Sequence, residues 1–438
     1  MPRYVVLCLL CIAMAMLPAG ATQTDIVLFG DSIINGSGRL AQPLLQNFQE
    51  TERVSGAGFC SFVDSTGPSD PGMIYIRPTT GWTEVDQSSS AIGLNDSHLE
   101  SSIVGATISF SVRSDVDEIE IYFLKQPGGG SFRLYDGTTG FVTLSTNAPY
   151  TASDVYRIRW TPDSLPRTFQ LVLHEAGTAG VKIGGVNFKT DDDGVRIHKI
   201  GNGGLTAAQS VSVDRAIWVA ALRDLDPEIF CVLLGANDSI RNVSPVAYKA
   251  DIAELVDRAK AASPNVKILL MSPPDHGYDN CDYELSAYRD ALIALCQEQD
   301  LRFIDFKEVL GDFDTADVLG FYSDLVHPSD AGGQVMADAW CSLIEEVDSS
   351  ELQLVDVFDE SALPSVSQLS VVGVEGEDVE LSWRRLPGID YILCRSQNLM
   401  SWDEVPISDG YPQREFIYEL NEEGNHFFKL KMSYPEAW

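Results

Sequence analysis

Asp25-Ile26-Val27-Leu28-Phe29-Gly30-Asp31-Ser32 is the stretch that decides how the chain is read. Four apolar residues, Ile26 to Phe29, run directly into Gly-Asp-Ser, and Ile33-Ile34-Asn35-Gly36-Ser37-Gly38 follows. A short unbroken apolar run closed by turn residues is the pattern of a strand buried on both faces of a parallel sheet. Such strands deliver the residues beyond their carboxyl ends to the ligand crevice of an open α/β sheet. Here a serine is delivered. Most Gly-Asp-Ser tripeptides are ordinary polar turns, so Ser32 acquires chemical meaning only if the rest of the chain supplies it with partners.

The strand–helix alternation that such a sheet requires is present but interrupted. Leu40 to Thr51 has helical spacing at Leu40, Leu44, Leu45 and Phe48. From about Val54 to Thr190 the helical pattern gives way to alternating runs, among them Ala106–Val112, Glu118–Phe123, Tyr156–Trp160 and Thr168–Leu173, with turn clusters such as Pro127-Gly128-Gly129-Gly130 between them. Short strands at this spacing predict a β-sandwich or jelly roll, and residues 54–190 are long enough to be a domain inserted into another. The αβ series then resumes. Strands are expected at Gly194–Ile200, Ile229–Leu234, Val266–Met271 and Leu301–Asp305, and helices at Thr206–Leu222, Pro245–Ala262, Tyr283–Gln297 and Asp330–Val347. With Ile26–Phe29 this makes five strands separated by helices, which predicts a parallel doubly wound sheet with helices on both faces. The discontinuous α/β domain would comprise residues 22–53 and 191–347. Residues 348–365 read as an acidic linker, and residues 366–438 as a small separate β-sandwich.

The 438 residues are too many for one compact core. A net charge of -34, from 64 acidic against 30 basic residues, repels nucleic acid and anionic membrane surfaces and suits an exported protein. Arg3, the apolar run Tyr4 to Leu17 and then Pro18-Ala19-Gly20-Ala21 form the pattern of a secretory signal with cleavage after Ala21, so a secreted or periplasmic location is expected. The run is too short for a permanent span, and integral membrane contact is not expected. Cys8 and Cys11 would leave with the signal. Cys60, Cys231, Cys281, Cys296, Cys341 and Cys394 contain no C-x-x-C pair, which argues against a zinc ribbon or a thioredoxin-type site. Export permits a disulfide from Cys281 to Cys296 or Cys341. Cys231, inside an apolar run, reads as a core residue.

Three strand ends now bear on Ser32. The strand at Gly194–Ile200 ends in Gly201-Asn202-Gly203-Gly204, the next in Gly235-Ala236-Asn237-Asp238, and Ser323-Asp324-Leu325-Val326-His327-Pro328 precedes the last helix. Acyl transfer to a hydroxyl needs an imidazole to take its proton and a carboxylate to orient that imidazole. The tetrahedral oxyanion needs preorganised donors, which backbone N–H groups and an Asn amide provide. Asp-x-x-His on a turn is short enough for the carboxylate to reach its own imidazole. Each motif alone is more often structural; together, in order and at strand ends of one series, they point to catalysis.

Phe29-Gly30-Asp31-Ser32, the glycine after the second strand, Gly235-Ala236-Asn237-Asp238 and Asp324-Leu325-Val326-His327-Pro328 resemble the four blocks of the SGNH (GDSL-type) hydrolases. The resemblance covers about residues 25–50 and 194–347. It implies a three-layer α/β/α flavodoxin-like fold, with Ser32 as nucleophile, His327 as base and Asp324 as its orienting acid. The Ser32 N–H, the Gly204 N–H and the Asn237 side chain would form the oxyanion hole. Gly203 is an alternative to Gly204 and stands where the family usually has Asn. Asp31 and Asp238 are expected to support turn geometry. No Gly-x-Ser-x-Gly elbow is present, and the remaining histidines lack metal-ligand spacing, so neither metal nor cofactor is expected.

A β-sandwich inserted between the Ser and Gly blocks is similar to the arrangement in secreted SGNH carbohydrate esterases, peptidoglycan O-acetylesterases included, where the insert resembles a carbohydrate-binding module. Trp82, Tyr122, Tyr135 and Trp160 are the aromatics available for stacking on sugars, although aromatics dominate β cores as well. The C-terminal module resembles small fibronectin-like domains. The resemblance implies a carbohydrate O-acetylesterase acting on an acetylated glycan. The alternatives are a lipolytic or thioester hydrolase of the same family, which would prefer longer acyl groups, and a non-catalytic glycan-binding or adhesion protein, against which the intact Ser32, Asp324 and His327 stand.

Overall fold

The computed structural model describes residues 23–341 except 37, 51–53, 64–73, 79–80, 88–91, 113–115, 136–140 and 160–167, together with the backbone of strands between residues 344 and 433. The N-terminal segment with its expected cleavage site lies outside the described residues.

The α/β part is built on β1 (Thr24–Gly30), β2 (Val195–Gly201), β3 (Ile229–Leu233), β4 (Lys267–Ser272) and β5 (Arg302–Asp305). They form one sheet in the order β2-β1-β3-β4-β5, with every pair parallel. This is the flavodoxin-like order, in which the direction of strand addition reverses beside β1 and opens a crevice at the strands' carboxyl ends. Side chains alternate across the sheet. Ile26, Leu28, Cys231, Leu269 and Ile304 share one core with Leu44, Phe48 and Trp340, whereas Val27, Phe29, Val232, Leu270 and Phe303 share another with Trp218, Tyr248 and Leu292. The first core is covered by α2 (Ala41–Glu50) and α7 (Asp330–Cys341). The second is covered by α3 (Arg215–Leu225), α5 (Pro245–Ala262) and α6 (Leu285–Gln299). Two short helices, α1 (Ser32–Asn35) and α4 (Ala236–Ile240), begin at the strand ends that matter for the site. Cys231 is fully buried, and burial pushes its thiol up to about 12, as a core residue requires.

Two helix expectations are corrected. The single helix read over Thr206–Leu222 is two: Ala207–Ser210 and α3, separated at Val211–Asp214. Asp214 caps α3, its carboxylate accepting from the N–H groups of Ala216 (2.9 Å) and Ile217 (3.1 Å), and an Asp in that position starts a helix better than it continues one. The last helix ends at Cys341 rather than Val347. Ile344–Val347 is instead a strand that pairs antiparallel with Glu351–Leu354, so the stretch read as linker begins with half of a hairpin.

The insert consists of two antiparallel sheets. One carries Ala152–Arg159, Glu118–Lys125, Val181–Lys189, Ser97–Ser101 and Thr83–Asp86 in that order, with Gly58–Ser61 also on Val181–Lys189. The other carries Ile74–Pro78, Thr107–Val112, Thr168–Glu175, Ser131–Tyr135 and Phe141–Ser145. Between them Phe110 of the second sheet meets Phe188 of the first edge-on at 6.0 Å, and Phe123 of the first meets Phe132 of the second edge-on at 5.4 Å. The apolar core of the insert is continuous with that of the α/β part. A polar seam reinforces the junction: His198 of β2 accepts from the Phe59 N–H through Nδ1 (3.0 Å), its Nε2 lies 2.8 Å from Asp25, and Arg196 donates to Asp25 and to the Ser55 carbonyl.

Of the aromatics considered for sugar stacking, Tyr122 is buried against Phe59, Trp82 is half-buried against the core, and Tyr135 packs on Phe141. Trp160 lies outside the described residues. Among the described residues the exposed rings are instead Phe141, Tyr150, Tyr278 and Tyr283. Cys281 and Cys296 are free thiols, so neither disulfide considered for Cys281 is formed. C-terminally, Ser370–Glu375, Asp378–Ser382 and Glu415–Glu419 form one three-stranded sheet, and Asp390–Ser396, Asp403–Val405 and Phe427–Ser433 another. Among the described residues no helix is long and apolar enough to cross a membrane.

Candidate active site

Register brings the site together. Gly30 lies opposite Gly201 on one side and Leu233 on the other, so β2, β1 and β3 end level with one another. Whatever follows those ends shares one edge of the sheet. Gly30 must be glycine: a Cβ there would sit 2.3 Å from the Leu233 carbonyl oxygen and 2.7 Å from Ile34. Asp31 then caps α1, accepting the Ile33 N–H at 2.9 Å, and this places Ser32 at the first position of the helical turn.

The partner for Ser32 arrives from the far end of the fold. Ser32 Oγ lies 2.8 Å from His327 Nε2, and His327 Nδ1 lies 2.7 Å from Asp324 Oδ2. Asp324 Oδ1 accepts the N–H groups of Val326 (2.8 Å) and His327 (2.9 Å). One carboxylate oxygen thus folds the turn while the other faces the imidazole, which is how Asp-x-x-His achieves both tasks within four residues. Burial is the largest single influence and raises the Asp324 carboxyl, but His327 and the two N–H groups together outweigh it and hold the group at about 2. The turn is fixed by Ser323, whose N–H donates to the His327 carbonyl at 2.9 Å. Behind it, α7 packs directly on the serine loop: a Cβ on Gly333 would lie 2.2 Å from the Gly38 carbonyl oxygen. A cleft of about 360 Å³ opens alongside, lined by Arg39, Ser323, Pro328, Ser329, Asp330 and Ala331, and Arg39 donates to the Ser32 carbonyl.

The other expected residues converge on the same edge. Asn237 is the second residue of α4, beyond β3, and its amide nitrogen donates to Asp31 Oδ2 (3.0 Å) and to the Leu205 carbonyl (3.2 Å). Gly204 lies in the turn after β2 at φ +76°, where a side chain would be strained. Neither its N–H nor that of Ser32 has an acceptor among the described residues. Asp238 is fully buried and accepts the Ala207 N–H with both oxygens, at 3.1 and 3.3 Å. Asp31 and Asp238 therefore tie three loops together: Asp31 joins the serine turn to Asn237, and Asp238 joins α4 to the segment after Gly204. The arrangement has the proton acceptor, orienting carboxylate and N–H donors that acyl transfer to a hydroxyl requires. Among the described residues no cluster of His, Cys, Asp or Glu has the geometry of a metal site.

The two buried carboxyls make stability depend on pH. Burial pushes Asp31 up to about 7 against the Ile33 N–H, Arg39 and Asn237; burial pushes Asp238 up to about 7 as well, against the Ala207 N–H and with repulsion from Asp31 added. An unfolded aspartate ionises near 3.8. Between about pH 4 and about pH 7 the unfolded chain therefore sheds protons that the folded chain retains, and stability falls as pH rises through that window. Asp238→Asn keeps the acceptor for Ala207 and removes the titration. Its urea midpoint relative to wild type should rise between about pH 4.5 and about pH 7.5, an equal offset at both values meaning that Asp238 ionises as it does in the unfolded chain.

Sequence reading missed Asp86, Gln87, Asn95 and Arg241, which surround the Gly204 loop. Asp86, Gln87 and Asn95 lie in a module that reads as separate and carry no signal of where they dock, and Arg241 reads as an ordinary residue at a helix end.

Residues 184–335 match the family model described as the GDSL-like lipase/acylhydrolase family. No curated protein matches the chain. Among solved structures, a peptidoglycan O-acetylesterase is 14% identical, with 76% of this chain and 93% of that chain covered at a TM-score of 0.60. A salicylyl-acyltransferase from a tetracycline biosynthetic pathway is 13% identical over 64% of this chain and 95% of that one, at a TM-score of 0.27. An aryl esterase of M. smegmatis is 16% identical over 34% and 77%, at 0.28. The parallel sheet in flavodoxin-like order and the Ser32–His327–Asp324 contacts at its edge agree with the match of residues 184–335 to the GDSL-like lipase/acylhydrolase family, and in these features the chain resembles an SGNH, GDSL-type hydrolase.

Proposed function

We propose that the protein is a secreted carbohydrate esterase that removes O-acetyl groups from a glycan through an acyl-serine intermediate on Ser32. The observation that carries the mechanism is the unbroken chain of contacts from Ser32 Oγ through His327 to Asp324. His327 Nε2 takes the Ser32 proton as Oγ attacks the acetyl carbonyl, and Asp324 holds the Nδ1–H tautomer and stabilises the imidazolium. The oxyanion is met by the Ser32 and Gly204 N–H groups. Asn237 joins them by exchanging its longer bond, to the Leu205 carbonyl, for one to the oxyanion. The imidazolium then protonates the departing sugar oxygen. Water, deprotonated by His327, attacks the acyl-enzyme, and acetate leaves with Ser32 reprotonated.

The choice of a glycan is supported by the insert packed beside the catalytic edge and by the likeness in fold to a peptidoglycan O-acetylesterase over 93% of that chain. One observation favours a longer acyl group: Leu325, between the catalytic Asp and His, is 47% exposed, and Tyr278 and Tyr283 are exposed on the loop after β4. Acetate release from a panel of acetylated polysaccharides, peptidoglycan included, decides between the readings when set beside a series of nitrophenyl esters. The acetylesterase reading expects turnover to fall steeply as the acyl chain lengthens beyond acetate and acetate to be released from at least one glycan. A rate that climbs toward medium-chain esters, with no acetate from any glycan, would transfer the protein to the lipolytic branch.

A further inference from the structure

We infer that the inserted β-sandwich supplies positioning residues to the oxyanion loop of the catalytic domain, with Gln87 the principal one; this rests on the reading of Gly204 as an oxyanion donor. Gln87 follows the strand Thr83–Asp86 and has a left-handed backbone, φ +45°, with its N–H donating to the Asp96 carbonyl at 2.9 Å. Its side chain crosses to the loop after β2. There Nε2 donates to the Gly203 carbonyl and lies 3.4 Å from Asn202 Oδ1, while Oε1 accepts from Gln209 Nε2 at 2.9 Å. Two neighbours in the insert hold the same loop: Asp86 Oδ1 and the Asn95 carbonyl accept from Asn202 Nδ2, at 2.6 and 2.9 Å. Arg241, which closes α4, completes the ring by donating to Gly204 O (2.9 Å) and Gln209 Oε1 (3.0 Å).

The contact to Gly203 matters because a peptide unit is planar and trans. The Gly203 carbonyl and the Gly204 N–H belong to one such unit and point in opposite directions. Anchoring the carbonyl on Gln87 therefore aims the N–H away from Gln87, and that N–H is the donor the reaction needs. Glycine next to glycine is the sequence least able to hold a peptide plane by itself, since neither residue restricts its backbone. The Arg241 contact fixes the following plane in the same way. The insert thus sets the direction of a catalytic donor across a domain boundary, in addition to any part it has in holding glycan.

The test is Gln87→Glu, which keeps size and shape but sets an acceptor against the Gly203 carbonyl, with Gln87→Ala beside it. Loss of one oxyanion donor costs about 10²–10³-fold in kcat. Misaiming rather than deleting the donor should lower kcat by roughly tenfold in Gln87→Ala and by more in Gln87→Glu, with KM within about twofold of wild type. Affinity for a boronic acid, whose Ser32 adduct places a tetrahedral oxygen in the hole, should fall by the same factor as kcat. A structural role alone predicts a near-normal isosteric Glu variant. Should Gln87→Glu not fold, the Ala variant and its boronate affinity read the same quantity. Folded variants with wild-type kcat, or a kcat loss without a matching loss of boronate affinity, would overturn the positioning role while leaving the esterase intact. Absence of turnover and of boronate binding in the wild-type protein would overturn the esterase reading itself.

Discussion

Ser32→Ala is expected to lower hydrolysis of a chromogenic acetate ester by about 10⁴-fold or more, and His327→Ala to do the same. Each removes one end of the 2.8 Å contact through which the hydroxyl loses its proton. Because the pair acts as a unit, the double variant should be no worse than either single one. Ser32 is only partly buried and His327 lies on a surface turn, so neither alanine opens a core cavity, and both variants should keep the wild-type urea midpoint. A folded Ser32→Ala or His327→Ala protein that retains even a tenth of the wild-type rate would show that the hydrolysis proceeds elsewhere, about three orders of magnitude above what the triad chemistry allows.

The second large effect concerns Asp324, and its sign is unusual. A buried orienting carboxylate is worth about 10⁴-fold; the Asp324 side chain is 54% exposed, so water can partly replace it, and about 10²-fold is expected for Asp324→Ala. Asp324→Asn should be worse than Ala. An Asn carboxamide can still accept the Val326 and His327 N–H groups through its oxygen, but it then turns an NH₂ toward Nδ1. That favours the tautomer with hydrogen on Nε2, which cannot accept the Ser32 proton. If Asp324 only folded the turn, the order would be reversed, with Asn almost normal and Ala impaired. The pH profile adds a separate check. With Asp324 held at about 2, the carboxylate is ionised throughout the range in which an esterase is assayed, so Asp324 itself should add no inflection to the wild-type rate profile above about pH 4.

The pattern that was easiest to read is the one set by local rules. Each core strand announced itself because a strand covered on both faces needs a continuous apolar run, and Ile26–Phe29, Ile229–Leu234 and Val266–Met271 provide one. The helices were read less well where two rules competed. Apolar spacing ran on through Val211 and Val213, but Asp214 starts a new helix by capping it, and the capping signal was the better guide. Past Cys341 the residues Ile344 to Val347 fit a helical continuation by position alone, whereas their backbone pairs with Glu351–Leu354, a partner that periodicity does not reveal. The stacking aromatics failed for a related reason. Tyr122 lies on an alternating strand, and alternation tells which residues share a face without telling which face is covered.

What the sequence determined by itself is the set of candidate residues. Gly-Asp-Ser, the glycine turn, Gly-Ala-Asn-Asp and Asp-x-x-His each sit where a strand end or helix start must lie, and the reaction needs those residue types, so their identities were visible before any contact was known. What only the tertiary structure decided is how they are held. Level strand ends bring Ser32 beside Gly204 and Asn237, and the bare surface at Gly333 lets α7 carry His327 to Ser32 from 295 positions away. Asp31 and Asp238 become buried links between loops rather than turn residues alone, and Gln87 reaches the loop after β2 from a module that reads as separate. Such contacts depend on the distance between segments remote in sequence, which is fixed by packing and register; a linear chain specifies that distance only once it has folded.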